Sequence, residues 1–182
     1  MIEMFDYGIL DLFQQIQSSV LTFIFQFFTW IGEGGAVWIV AGLALLVQKD
    51  KRKYGIIVML SLLLCLVLGN GVLKHAVARP RPCWRHPEVE MRIPVPTDFS
   101  FPSGHTFSSF AAFVSIAYWN RRFGVAAFAL ALVIAVSRLY FFVHYPTDIL
   151  AGAAVGVLLA LFSIGVVEAL YAKNENRKLL LR

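Results

Sequence analysis

Charge is scarce in this chain. Only 15% of its 182 residues are Asp, Glu, Lys or Arg, against 59% that are hydrophobic. That balance excludes an ordinary soluble domain, and several apolar runs of about 15–24 residues have the length that crosses roughly 30 Å of hydrocarbon. Lys and Arg are missing altogether from the first 48 residues, so no basic stretch precedes the first apolar run and a cleaved signal peptide is not expected. Cysteine is nearly absent: Cys65 sits in an apolar run and Cys83 in a loop, badly placed to pair, so neither identifies a redox compartment. There is no internal repeat, low-complexity segment or flexible linker, and residues 1–182 read as one integral-membrane domain with no room for a separate soluble one. The net charge of +5 is spread over loops between apolar runs, which fits orientation and anionic headgroups rather than nucleic acid.

The expected fold is all-α, a polytopic transmembrane helical bundle of five or six spans with an amphipathic N-terminal helix. Residues 5–31 place Phe5, Ile9, Leu12, Ile16, Val20, Phe23, Phe27 and Trp30 on one helical stripe, with Asp11, Gln14, Gln15 and Ser18 elsewhere. That pattern suits a helix lying in the interface or partly inserted, with a first transmembrane helix as the rival reading. Five spans follow, at about 34–48, 54–76, 103–119, 124–142 and 147–170. Lys49, Lys51, Arg52 and Lys53, then Arg121 and Arg122, then Lys173, Arg177, Lys178 and Arg182 all fall on one side if the N-terminus is outside, and the positive-inside rule makes that side cytoplasmic. Lys74, Arg79, Arg81, Arg85, Arg92 and Arg138 then lie on or near the opposite side, where the rule disfavours them. Charge at mid-bilayer costs roughly 2.5–3.5 kcal/mol per residue on insertion scales, so these six imply an anionic partner.

Three patches carry the chemistry. In Lys74-His-Ala-Val-Ala-Arg79-Pro-Arg81-Pro82 the prolines end a helix; a snorkelling interfacial anchor would look the same. In Phe101-Pro102-Ser103-Gly104-His105 a helix starts, and free N–H groups of Ser103 and Gly104 can meet an anion helped by the helix dipole, although a simple cap with an interfacial His is the plain alternative. In Ser137-Arg138-Leu-Tyr-Phe-Phe-Val-His144-Tyr-Pro146-Thr-Asp148 an Asp one turn after a His can fix its tautomer and leave Nε2 as nucleophile or base. A metal is the other option for such a pair, but the remaining candidates, His75, His86, His105 and scattered acids, lack ligand spacing. The topology sends all three patches to one face, where cations, a helix start and two histidines, one backed by a carboxylate, suit a phosphate group.

Lys74, six residues, Arg81-Pro82; Pro102-Ser103-Gly104-His105; and Ser137-Arg138, five residues, His144, three residues, Asp148 resemble, in order and spacing, the three motifs of the type 2 phosphatidic acid phosphatase superfamily. That superfamily also contains lipid phosphate phosphatases, glucose-6-phosphatase and vanadium haloperoxidases. The resemblance spans residues 74–148 and implies roles: Lys74, Arg81 and Arg138 on the non-bridging oxygens, with Ser103 and the Gly104 amide completing the cradle. His144 would attack phosphorus and form a phosphohistidine, Asp148 would orient its ring, and His105 would protonate the leaving oxygen and then activate water. No metal and no cofactor are implied. Arg79 is out of the motif's register and is expected behind the site or at the headgroup.

The expected substrate is a lipid phosphate drawn from the bilayer, and Trp84, Arg85, His86, Arg92 and Phe99 are expected to frame its headgroup. Small members of the family resemble undecaprenyl pyrophosphate phosphatases acting on the outer face of the cell membrane. Phosphatidylglycerophosphate and phosphatidic acid phosphatases share the motifs, as would a phosphotransferase using the same His144 intermediate. A catalytically dead lipid binder would need the cations but not the His–Asp pair and second His.

Overall fold

A computed structural model describes residues 1–180; Arg182 of the basic tail lies outside them. Helices α1 (Ile2–Gln15) and α2 (Ser19–Ile31) lead through a 3-10 turn (Glu33–Gly35) to α3 (Ala36–Val47). Helix α4 (Arg52–Leu64) continues through a π-helical stretch (Cys65–Leu73) into α5 (Lys74–Val77). A single turn, α6 (Pro82–Arg85), and an irregular loop precede α7 (Gly104–Trp119), α8 (Arg121–Tyr140) and α9 (Pro146–Leu180). Among the described residues there is no strand, and the bundle is all-helical. Three helical stretches are long and apolar enough to cross a membrane, Arg52–Arg85, Arg121–Tyr140 and Pro146–Asn174, and α2 with α3 make a fourth if the pair, bent by 43°, crosses as one.

Three segments differ from the sequence expectation, one of them the expected 103–119 span: α7 has 16 residues and is not among the helices long enough to cross. Residues 5–31 form two helices, because the Ser18 hydroxyl accepts the Leu21 N–H at 3.3 Å and starts α2 afresh. The Ser18 N–H meanwhile donates to the Tyr140 hydroxyl at 3.2 Å, pinning the break to the end of α8. The expected 34–48 span is the 12-residue α3, about 18 Å long and too short to cross alone. It is joined to α2 through Gly34 (φ 57°) and Gly35 (φ 74°), left-handed conformations in which glycine carries no Cβ penalty.

Helix α7 is the axis of the bundle, packed against α4, α8 and α9. It fits because most of its buried residues are small, among them Ser109, Ala111, Ala112 and Ser115, with Phe107 and Ile116 as the large ones. On α9, a Cβ at Gly152 would sit 3.0 Å from the Ser103 carbonyl oxygen, and one at Gly156 would run into the Phe107 carbonyl. Close backbone approach through small residues is what joins helices where lipid removes the hydrophobic driving force. Trp38 on α3 donates its indole N–H to Ser109 Oγ at 2.9 Å. The outer surface exposes Phe23, Leu43, Leu66, Val125 and Leu158, the apolar belt that contact with acyl chains requires.

Candidate active site

The connection from α8 to α9 is a loop, yet Phe141, Phe142, Val143, His144 and Tyr145 are all buried. A buried loop must satisfy its backbone. Here the Val143 N–H donates to the Arg138 carbonyl at 3.2 Å, Arg81 Nη1 donates to the Val143 carbonyl at 2.7 Å, and the Tyr145 N–H donates to Asp148 Oδ2 at 2.9 Å. Phe142 takes φ 57° to make the turn, a conformation uncommon for a bulky residue and tolerated where the surroundings over-determine it.

That loop presents His144. Its Nδ1 lies 3.5 Å from Asp148 Oδ2 and 3.4 Å from Ser100 Oγ, and Ser100 itself donates to the same carboxylate oxygen. Its Nε2 lies 3.0 Å from Arg81 Nη1. A guanidinium has only donors, so Nε2 is the accepting nitrogen and the ring proton sits on Nδ1, toward Asp148. Burial, and then the Arg81 charge, hold the imidazole well below its ordinary pKa and therefore neutral.

The cations converge from two directions. Lys74 emerges where the π-helical stretch ends, and π-helical turns recur at functional sites. Just beyond it Ala78 takes φ 47° and turns the chain so that Arg79 and Arg81 face different partners. Lys74 Nζ is paired with Asp98 Oδ2, and Arg81 Nη2 with Asp98 Oδ1 at 2.7 Å. Partial burial would push the Asp98 carboxyl up, but the Lys74 hydrogen bond and the Arg81 charge outweigh it and hold the pKa at about 2. Arg138 comes from the last turn of α8; its Nη1 donates to Thr29 Oγ1, and its Nε is buried with no partner.

Helix α7 contributes the rest. His105 Nε2 lies 3.3 Å from the Thr29 carbonyl and 3.5 Å from Glu33 Oε2. Gly104 lies beside it, where a Cβ would stand 3.4 Å from Asn70 Oδ1 and 4.0 Å from Lys74 Nζ. One cavity of about 810 Å³ is lined by Lys74, Arg81, Gly104, His105, Arg138 and His144. Ser103 stands apart. It is fully buried and does not line the cavity, its N–H donates to the Asp148 carbonyl at 3.2 Å, and its hydroxyl accepts from Thr106 at 3.0 Å. The expectation of a free Ser103 amide is therefore corrected: the start of α9 packs close enough, at Gly152, to take that donor.

The residues expected to frame a headgroup, Trp84, Arg85, His86, Arg92 and Phe99, do not line the cavity. Arg85 pairs with Glu3, His86 with Glu88, Arg92 with Glu90, and Trp84 donates to the Pro96 carbonyl. The part of the loop that lines the cavity is 93–98 instead. Reasoning from the sequence also passed over Asp6, Thr29, Ser100 and the pairing role of Asp98. Arg79, expected behind the site, bridges Asp148 Oδ1 (2.6 Å) and Asp6 Oδ2 (2.7 Å). The available signal was the set of acids Glu3, Asp6 and Asp11 in a stretch with no basic residue, and nothing in the sequence marks Asp6 as the buried one.

Part of the cavity lining is hydrocarbon, formed by Ile39, Met59, Leu62, Leu63 and Leu66, of which Leu63 and Leu66 are also exposed on the outer surface. The arrangement thus joins an apolar groove to a cluster of cations and imidazoles at one end of the bundle.

Known proteins resemble this chain in sequence and in fold. The chain is 31% identical over 131 residues to an undecaprenyl-diphosphatase of Sulfolobus acidocaldarius, covering 71% of this chain and 63% of that protein. It is 38% identical over 123 residues to a decaprenylphosphoryl-5-phosphoribose phosphatase of Mycolicibacterium smegmatis, covering 66% and 65%. The chain therefore spans a little under two thirds of the length of these relatives. Its fold is that of a transmembrane PAP2-type phosphatidylglycerolphosphate phosphatase from Bacillus subtilis, with a TM-score of 0.75 at 24% identity over 90% of this chain and 85% of that one. The family model described as PAP2 superfamily matches residues 51–172, a stretch that holds every cation and imidazole lining the cavity, and the chain belongs to that superfamily.

Proposed function

We propose that this protein is a membrane lipid phosphatase that hydrolyses a lipid phosphate or pyrophosphate through a phosphohistidine at His144. The observation that carries the reading is the convergence of Lys74, Arg81, Arg138, His105 and His144 on one cavity with an apolar wall. Phosphoryl transfer needs positioning and neutralisation of charge on three oxygens more than elaborate covalent chemistry. Asp98 already places carboxylate oxygens between Lys74 and Arg81, and phosphate oxygens would take the same donors. Losing Arg81 to the phosphate also frees the lone pair of His144 Nε2.

That nitrogen then attacks phosphorus in line, the P–O bond to the lipid breaks, and His105 supplies the proton to the departing oxygen. Neutral His105 next takes a proton from the water that attacks phosphohistidine, which releases inorganic phosphate and restores both rings. Asp148 and Ser100 hold Nδ1 throughout.

The names of the relatives support a polyprenyl substrate, and undecaprenyl pyrophosphate is the one we favour. The basic loops at 49–53 and 121–122 lie at the end of the bundle opposite the cavity, which supports an extracytoplasmic site. The test is phosphate release by purified protein from undecaprenyl pyrophosphate, phosphatidylglycerophosphate and phosphatidic acid. Release should be greatest from the first, unaffected by EDTA and blocked by vanadate. Release from none of the three, or dependence on a divalent metal, would overturn the reading. Labelled phosphate appearing on an added acceptor lipid instead of in solution would make the protein a phosphotransferase. A reporter fused at Arg121 should report cytoplasm, and an external signal would invert the site.

A further inference from the structure

Asp6 belongs to α1, outside the residues that the family model matches, yet its carboxylate is fully buried. It accepts from Arg79 Nη2 at 2.7 Å, from the Thr147 N–H at 3.1 Å and from Thr147 Oγ1 at 2.8 Å. A buried anion is costly unless paired, and an apolar residue would fill the same space. The other arm of Arg79 reaches Asp148 Oδ1 at 2.6 Å and Thr147 Oγ1 at 2.7 Å, while its guanidinium stacks 3.9 Å over the Tyr145 ring. Tyr7, next to Asp6, meets the Tyr145 hydroxyl at 3.1 Å. One guanidinium is thus shared by two carboxylates, and the row Asp6–Arg79–Asp148 keeps one net negative charge facing His144.

We propose that Asp6 is a positioning residue for His144. By holding half of Arg79, it leaves Asp148 the negative charge that orients the Nδ1–H and sustains the basicity of Nε2. The proposal rests on His144 being the nucleophile. Without Asp6, Arg79 and Asp148 would close into a neutral pair, and the imidazole would lose electrostatic support.

The other charges around His144 are untouched by a change at Asp6: Arg81, Lys74 and Asp98 in front, Arg138 from α8 and His105 from α7. Asp6 itself meets Arg79 and Thr147, and the titratable groups around its neighbour Tyr7 are Tyr145 and His86, with the surface pair Arg85–Glu3 on the same side. A moved pH limb therefore reports the row.

The test measures kcat, KM and the pH dependence of kcat/KM for the full chain, with undecaprenyl pyrophosphate in detergent, for wild type, D6N and the double variant D6N/R79Q. D6N is isosteric and should lower kcat about tenfold, the low end for removing a group that orients a reactive side chain. KM should stay nearly fixed, and the acid limb should move to lower pH. D6N/R79Q again leaves one negative charge on the row, so its acid limb should return toward that of wild type and its kcat should exceed that of D6N. A D6N enzyme within twofold of wild type and with an unmoved limb overturns the proposal. So does a fall in kcat with no limb shift and no recovery in the double variant, the pattern of a purely structural role. Wild-type turnover with no trappable phosphohistidine would remove the nucleophile and the proposal with it; that failure is seen in the wild type, before any variant is compared.

Discussion

Both ends of the bundle tie the segment around α4 to α9 with an ion pair, and the two pairs are almost equally short. At one end Lys53 Nζ lies 2.7 Å from Glu168 Oε1; at the other Arg79 Nη1 lies 2.6 Å from Asp148 Oδ1. Their surroundings differ. Lys53 and Glu168 keep 27% and 36% of their side-chain surface exposed; Arg79 keeps 22%, but the two carboxylates it bridges, Asp148 and Asp6, keep none. An exposed pair trades water for a screened attraction worth about 0–1 kcal/mol. Breaking a buried pair strands a charge and costs about 3–5 kcal/mol. Length alone therefore says little: the pair at the basic end stays open to solvent, while the one at the cavity end holds charge in place behind His144.

The hardest test of that contrast is to remove the group that all the buried charges surround. His144→Ala should lower phosphate release by at least about a thousandfold, since loss of a nucleophile leaves only binding and electrostatic catalysis. The variant should still insert and elute as a folded species. Substantial residual turnover would remove His144 from its role. Next in size is Arg138→Lys. Its guanidinium is buried, with one arm on Thr29 and Nε unpartnered beside the cavity. A point-charge ammonium cannot reproduce a planar fork on two phosphate oxygens, so kcat/KM should fall about a hundredfold, roughly the worth of two charge-assisted hydrogen bonds. A loss below about threefold would mean that net charge suffices there.

The cations and imidazoles of this site were legible in the sequence because charge in an apolar chain stands out, and because Lys74, Arg81, His105, Arg138, His144 and Asp148 keep a recognisable order and spacing. The helices were legible from hydropathy for the same reason. The break at Ile16–Ser18 was not, since it depends on Tyr140, more than a hundred residues away, receiving the Ser18 N–H. Asp6 was hidden by the same kind of distance: its partners Arg79 and Thr147 become neighbours only once α1 docks on the start of α9. Ser103 was misread locally, because the donor that looked free at a helix start is taken by a backbone carbonyl of another helix. What sequence periodicity conveys is which face is apolar; which donor is already used is a tertiary fact.

Asp98 sharpens the contrast from the middle of the range, being about half exposed and yet tied to two buried cations. Its pKa is depressed to about 2. The stability it contributes is therefore fully present above the unfolded carboxyl value of about 3.9 and is lost as pH falls toward 2. It stays ionised across any working pH and, on the proposed function, would compete with substrate for Lys74 and Arg81. Asp98→Asn should lower KM about threefold to tenfold with little change in kcat, as expected when a competing ground-state contact weakens. A raised KM would show instead that Asp98 holds the two cations in position.

The smallest effect belongs to the basic end. Glu168→Gln removes the partner of Lys53 and weakens the contact with the Tyr118 hydroxyl. With both partners open to solvent and screened, it should cost no more than about 0.5 kcal/mol, and thermal melts should show the difference shrinking as salt is raised. Turnover should not change, because Glu168 lies twenty residues along α9 from Asp148, about 30 Å of helix. If Glu168→Gln did slow phosphate release, the two ends would be coupled through α9. A surface pair would then be influencing the geometry at Asp148, and the division between a solvated charge and a charge held in place behind His144 would fail.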